Sequence, residues 1–156
     1  MREQFVTREI ASALKEIEFD ENCLAGYENY LDSYLLHIPV GKHTSVTKIP
    51  FYKKTSASNA HVLKAPLWQQ VIDWFISEHD MFLNIFKWEV KYYLSDELQP
   101  PKYLFDLDKY SDYTGDYIYQ SITDELKYNS YKEAREQAIL KAIEIIKEKK
   151  YESTIS

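Results

Sequence analysis

Several residues that carry familiar chemistry are scarce in this sequence. Of its 156 residues, one is cysteine, Cys23. A single cysteine excludes an internal disulfide and a multi-cysteine zinc site. Its expected place is a buried strand, because free cysteine is among the most buried residue types. There are 3 glycines, Gly26, Gly41 and Gly115. They stand too far apart for a G-x-G-x-x-G or Walker loop, and with 5 prolines they exclude collagen-like and low-complexity chains. No apolar run approaches the roughly 18 residues of a membrane span. The uncharged run Ser33 to Gly41 is half that length and contains His37 and Pro39. The opening Met1-Arg2-Glu3-Gln4-Phe5-Val6-Thr7-Arg8-Glu9 holds no apolar stretch of signal-peptide type. The expectation is a soluble, cytoplasmic protein without membrane association.

What is present is an ordinary globular mixture, 45% hydrophobic and 28% charged. A chain of this length suits one domain and buries roughly 68–70% of its unfolded surface without a staple. We expect a single globular domain over residues 1–150 and a frayed tail at 151–156. The net charge of −6 is unevenly spread. Residues 1–32 carry −5, 73–90 carry −3 and 91–126 carry −5, whereas 127–156 carry +2. Residues 33–72 hold Lys42, Lys48, Lys53, Lys54 and Lys64 and no acid, net +5. Such segregation can mark an anion-binding or nucleic-acid-binding face. An isoelectric point near 5.3 argues against a dedicated nucleic-acid domain.

Local patterns predict three helices. Thr7 can cap the first, with Val6 as a staple residue, and Ile10, Ala13, Leu14 and Ile17 recur at helical spacing over 8–18. Pro66 suits the first turn of a second helix over 66–79, whose apolar stripe is Leu67, Trp68, Val71, Ile72 and Phe75. Ser130 and Glu133 form a capping box at the head of a third, 130–148. Its expected buried face is Ala134, Ala138, Ile139, Ala142, Ile145 and Ile146, and Lys147, Lys149 and Lys150 complement its negative end. Strands are expected at Cys23 to Tyr27, Ser33 to Val40, Ser45 to Tyr52, 81–94 (long and central), Lys102 to Leu107 and Asp116 to Ile122. The Tyr110–Gly115 stretch reads as a turn. The order predicts an α+β fold, a predominantly antiparallel sheet of about five or six strands with the helices mainly on one face.

Most catalytic chemistry fails on spacing. His37, His43, His61 and His79 include no H-x3-H or H-E-x-x-H pair. His43-Thr44-Ser45 matches half of a paired H-x-[ST] signature, and the second half is missing, so the acid and base roles cannot both be filled. Asp106 and Asp108 share a strand face by the period of 2, and Asp112 and Asp116 follow. An EF-hand would want an oxygen ligand and Gly where Tyr110 and Ser111 stand, and a bidentate Glu where Tyr117 stands. No serine lies in a G-x-S-x-G elbow. No cofactor, metal site or catalytic residue is expected.

Two surfaces remain. Seven of the 14 tyrosines fall in 91–126. Tyr110, Tyr113, Tyr117 and Tyr119, with Asp106 and Asp108, form the candidate partner-binding set, because tyrosine offers both an apolar body and a hydrogen bond. Tyrosines are also good strand formers. The second surface combines Lys42, Lys48, Lys53 and Lys54 with Phe51 and Tyr52, the ingredients of single-strand binding. It lacks arginine, which weakens bidentate phosphate recognition.

Four patches are also similar to known sequences: Phe5-Val6-Thr7-Arg8-Glu9-Ile10, Phe19-Asp20-Glu21-Asn22-Cys23, residues 65–75 (APLWQQVIDWF) and residues 131–143 (YKEAREQAILKAI). Together they resemble a group of small proteins from Bacteroidetes phages and mobile elements. Residues 28–64 and 91–119 lie outside the resemblance. It brings no catalytic residues with it and implies a context, an accessory protein of a phage or integrated element. The resulting expectation is a non-enzymatic protein that binds a macromolecular partner, a protein. Nucleic-acid binding through 42–64, and an enzyme with a His/Asp site assembled by the fold, stand as alternatives. A homodimer through an aromatic sheet edge is a further expectation.

Overall fold

A computed structural model of the chain describes residues 2–30, 33–37, 63–88, 101–109, 117–121 and 127–155. The elements are α1 (Arg8–Glu16), β1 (Ala25–Tyr30), β2 (Ser33–His37), β3 (Leu63–Ala65), α2 (Trp68–His79), β4 (Met81–Trp88), β5 (Lys102–Lys109), β6 (Tyr117–Gln120) and α3 (Tyr131–Ile155). The protein is α+β with antiparallel sheets. Among the described residues the strands form two sheets of three, β2-β1-β3 and β4-β5-β6. This corrects the expected single sheet of five or six strands: alternation along one strand reveals a strand and its faces, not which strands pair. The expected strand Ser45 to Tyr52, the extension of β4 to residue 94 and the Tyr110–Gly115 turn lie outside the described residues.

The chain forms two compact units, Met1–Val71 and Ile72–Ser156. In the first, the Thr7 hydroxyl accepts the Ile10 N–H at 3.3 Å and caps α1. Ile10, Ala11, Leu14 and Ile17 are buried, with Ala11 in the place expected for Ala13. The helix closes by a Schellman motif. Phe19 N–H donates to the Leu14 carbonyl and Glu18 N–H to the Lys15 carbonyl, both at 3.1 Å. Glu18 takes the left-handed conformation at φ 68. Phe19 and Leu14, the pair whose apolar contact accompanies this motif, are both buried. The stop therefore comes two residues before the expected end at 18.

The sheet of this unit is small. β1 pairs with β2 from Gly26↔His37 to Tyr30↔Ser33, and with β3 through Ala25↔Ala65, Gly26↔Lys64 and Tyr27↔Leu63. Ala25 and Ala65 oppose each other, are fully buried, and pack with Phe5 in one cluster. The N-terminal segment is tied to this core by polar contacts. Val6 N–H donates to the Pro66 carbonyl at 3.0 Å. The Tyr27 hydroxyl donates to the Val6 carbonyl at 2.7 Å and the Trp68 indole to that of Glu3 at 2.9 Å.

In the second unit β4 and β5 pair over eight residues, from Met81↔Lys109 to Trp88↔Lys102. β6 adds to β5 with a bulge at Leu107/Asp108. Among the described residues β4 is thus an edge strand of its sheet, where the sequence predicted a central one. Two reciprocal bonds finish the edge at β6. Phe105 N–H donates to the buried Ser121 hydroxyl at 2.8 Å, and Ser121 N–H returns to the Phe105 carbonyl at 2.9 Å. α3 packs on β4 and β5. Its alanines at 134, 138 and 142 are fully buried and allow close approach, with Ile139, Ile143 and Ile146 between them. Ile143 occupies the buried role expected of Ile145. The capping box is present. Glu133 N–H donates to the Ser130 hydroxyl at 3.1 Å, and the Glu133 carboxylate accepts from Asn129 N–H at 3.0 Å. α3 continues to Ile155, through the tail expected to fray, because 148–155 contain no glycine or proline to stop it.

Candidate functional site

The two faces of the second sheet differ in chemistry. Strand residues directly opposite one another share a face. Leu83 and Leu107, Ile85 and Phe105, and Leu107 and Tyr119 are opposed. This is the face that α3 covers: the Tyr119 ring packs on Phe105 at 5.5 Å and lies under the Lys141 ammonium, which comes from α3, at 5.1 Å. The other face carries the alternate residues. There Phe82 opposes Asp108, Asn84 opposes Asp106, which in turn opposes Gln120, Phe86 opposes Leu104, and Trp88 opposes Lys102.

This second face presents aromatic and acidic groups side by side. Phe82 is 41% exposed and Trp88 36%, and Asn84 between them is also exposed. The two aromatics stand near opposite ends of β4, Phe82 across from Asp108 and Trp88 across from Lys102. Asp106 is only 6% exposed. One oxygen of each carboxylate, Oδ1 of Asp106 and Oδ1 of Asp108, is out of solvent and meets no hydrogen-bond donor among the described residues. Burial pushes the Asp106 carboxyl above the usual carboxylate range, and the neighbouring Asp108 adds to it. Burial raises Asp108 in the same direction. A carboxylate that has lost water and gained no donor favours an incoming cationic donor, since charge-assisted bonds to ionised groups are among the stronger ones.

The structure separates the expected partner-binding set. Asp106 and Asp108 stand on this face, with Asp106 turned inward rather than open to solvent. Tyr119 lies on the opposite face, half-buried. Tyr117 pairs through its backbone with Asp108. Tyr110 and Tyr113 lie outside the described residues, as do Lys42, Lys48, Phe51, Tyr52, Lys53 and Lys54. Phe82, Asn84 and Trp88 were not singled out from sequence. Their signal was the even-numbered alternation along 82–88, masked by the equally apolar odd-numbered residues Met81, Leu83 and Ile85.

Other chemistry is sparse among the described residues. No group of three His, Cys, Asp or Glu side chains converges there as a metal site. No helix there is long and apolar enough to cross a membrane. Cys23 is buried outside the strand expected for it. Its thiol lies 3.5 Å from the Glu21 carbonyl, and burial pushes its pKa up to about 11. A thiol held protonated in this way is a poor nucleophile. No protein-family model matches the chain, and no curated protein or solved structure matches it.

Proposed function

We propose that the protein is a non-enzymatic recognition factor that binds a basic protein partner through the face of the β4-β5-β6 sheet that carries Phe82, Asn84 and Asp108. One observation carries this reading. Two desolvated carboxylates, each with a buried oxygen that meets no donor among the described residues, share a sheet face with exposed Phe82, directly across from Asp108, and with Trp88 further along β4. A lysine or arginine of the partner would satisfy the carboxylates while its neighbours cover the aromatics, an apolar core with a specific polar anchor. The resemblance to phage and mobile-element proteins supports an accessory role in the bacterial cytoplasm. The test is affinity capture from a bacterial lysate by the tagged protein and by a Phe82→Ser/Trp88→Ser variant. The expected result is one basic protein retained by the parent chain and lost from the variant. Equal recovery by both would contradict the assignment of the face.

The acid-free segment 33–72, with its charge of +5, favours a second reading, binding of single-stranded nucleic acid through Lys42, Lys48, Lys53 and Lys54. Its mark would be affinity that falls steeply with salt, because neutralised phosphates release counterions.

A further inference from the structure

At the far end of α3 the second unit has a half-open cavity of about 220 Å³, lined by His79, Met81, Ile146, Lys149, Lys150 and Ser153. We propose that this cavity binds a small organic anion, a phosphate or carboxylate group carried on a compact apolar body. This goes beyond the recognition face and does not depend on it.

The lining divides by chemistry. Met81 and Ile146 are buried and form an apolar floor. Lys149 and Lys150 are exposed and bring two ammonium groups to the mouth. The wall between is His79, at the C-terminus of α2. Its Nε2 is out of solvent and meets no hydrogen-bond partner among the described residues. Such an atom is costly in a folded protein unless a ligand or water meets it. The imidazole is also held in place: the Trp74 ring meets it edge-on at 4.5 Å, and Phe75 lies 6.3 Å away. It cannot swing to find another partner without losing these contacts. The Ser153 hydroxyl donates to the Lys150 carbonyl at 2.8 Å, which occupies one of the last-turn acceptors that would otherwise repel an anion.

The balance of charge selects the sign of the ligand. Two lysines of α3 act on His79, and Glu78 of α2 is the opposing acid; Met81, the β4 residue of the lining, carries no charge. The size and floor select the body. Inorganic phosphate alone would leave Met81 and Ile146 uncovered, whereas an aromatic or short aliphatic group would cover them. With an anion in place, the His79 imidazolium becomes the favoured form and donates from Nε2. Binding therefore takes up a proton and strengthens as pH falls towards 6.

The probe is phenyl phosphate, with inorganic phosphate as the comparison, followed by NMR of the His79 imidazole through a pH titration. The expected result is saturable binding of phenyl phosphate with an upward shift of the His79 midpoint, and inorganic phosphate at least about tenfold weaker. A Lys149→Gln/Lys150→Gln variant, shown by circular dichroism to remain folded, should lose binding by about tenfold or more. The proposal is overturned by no response of His79 at about 10 mM phenyl phosphate. It is equally overturned by unchanged affinity in the lysine variant, or by inorganic phosphate binding as well as phenyl phosphate.

Discussion

At Asp106 the demands of stability and of recognition pull apart. The residue lies on a strand where its neighbours Leu104, Phe105 and Leu107 are all fully or almost fully buried. Leaving one oxygen there without a donor costs stability, on the order of 1–3 kcal/mol for a buried unsatisfied group. Because its folded carboxyl titrates above 3.8, the folded state holds the proton more tightly than the unfolded chain. Stability from this group is complete below 3.8 and is lost as pH rises through the elevated folded value. Asp106→Asn should therefore stabilise the fold at pH 7 by about 1 kcal/mol, with the gain shrinking as pH falls towards 4; urea midpoints at the two pH values check it. His79 has the opposite sign. Burial lowers its imidazole below 6.5, Glu78 opposes this, and Lys150 and Lys149 lower it further, so stability is full above 6.5 and falls as pH drops through the folded value. The period of 2 predicted that Asp106 and Asp108 share a face. It could not predict that Asp106 is buried, because burial depends on which strands lie alongside β5.

The helices were legible from local signals and the sheets were not. Thr7, Ser130 and Glu133 cap through bonds spanning three or four residues, and such pairs can be read directly from the sequence. β3 is three residues long with Lys64 at its centre, so no periodicity announces it. It exists because Ala25 and Ala65, opposed across the pair, are buried together against Phe5, a relation across 40 positions. Phe19 ends α1 as the buried residue of its Schellman motif, its N–H donating to the Leu14 carbonyl. In that motif Glu18 sits at φ 68, where a side chain with a Cβ is disfavoured. Glu18→Gly should stabilise the protein by about 0.5–1 kcal/mol, the relief of left-handed strain less the added freedom of the unfolded chain. Thermal unfolding of the two proteins measures it, and a loss of stability would contradict the reading of that turn.

Across the whole chain, acidic and basic residues are segregated in sequence, with −5 over 91–126 against +5 over 33–72. The acidic segment contains β5 and β6, and its carboxylates at 106 and 108 share a face with exposed Phe82, which lies directly across from Asp108. A surface that retains a destabilising carboxylate is a candidate for function, since such groups persist where activity requires them. The most direct measurement places a photo-crosslinking amino acid at position 84, exposed and opposite Asp106, in the parent chain and in Asp106→Asn, and identifies what is captured. The account predicts one basic protein crosslinked by the parent chain, and its loss from Asp106→Asn although that variant is the more stable of the two. Crosslinking that persists unchanged in Asp106→Asn, or no crosslinked protein from position 84, would contradict the recognition face.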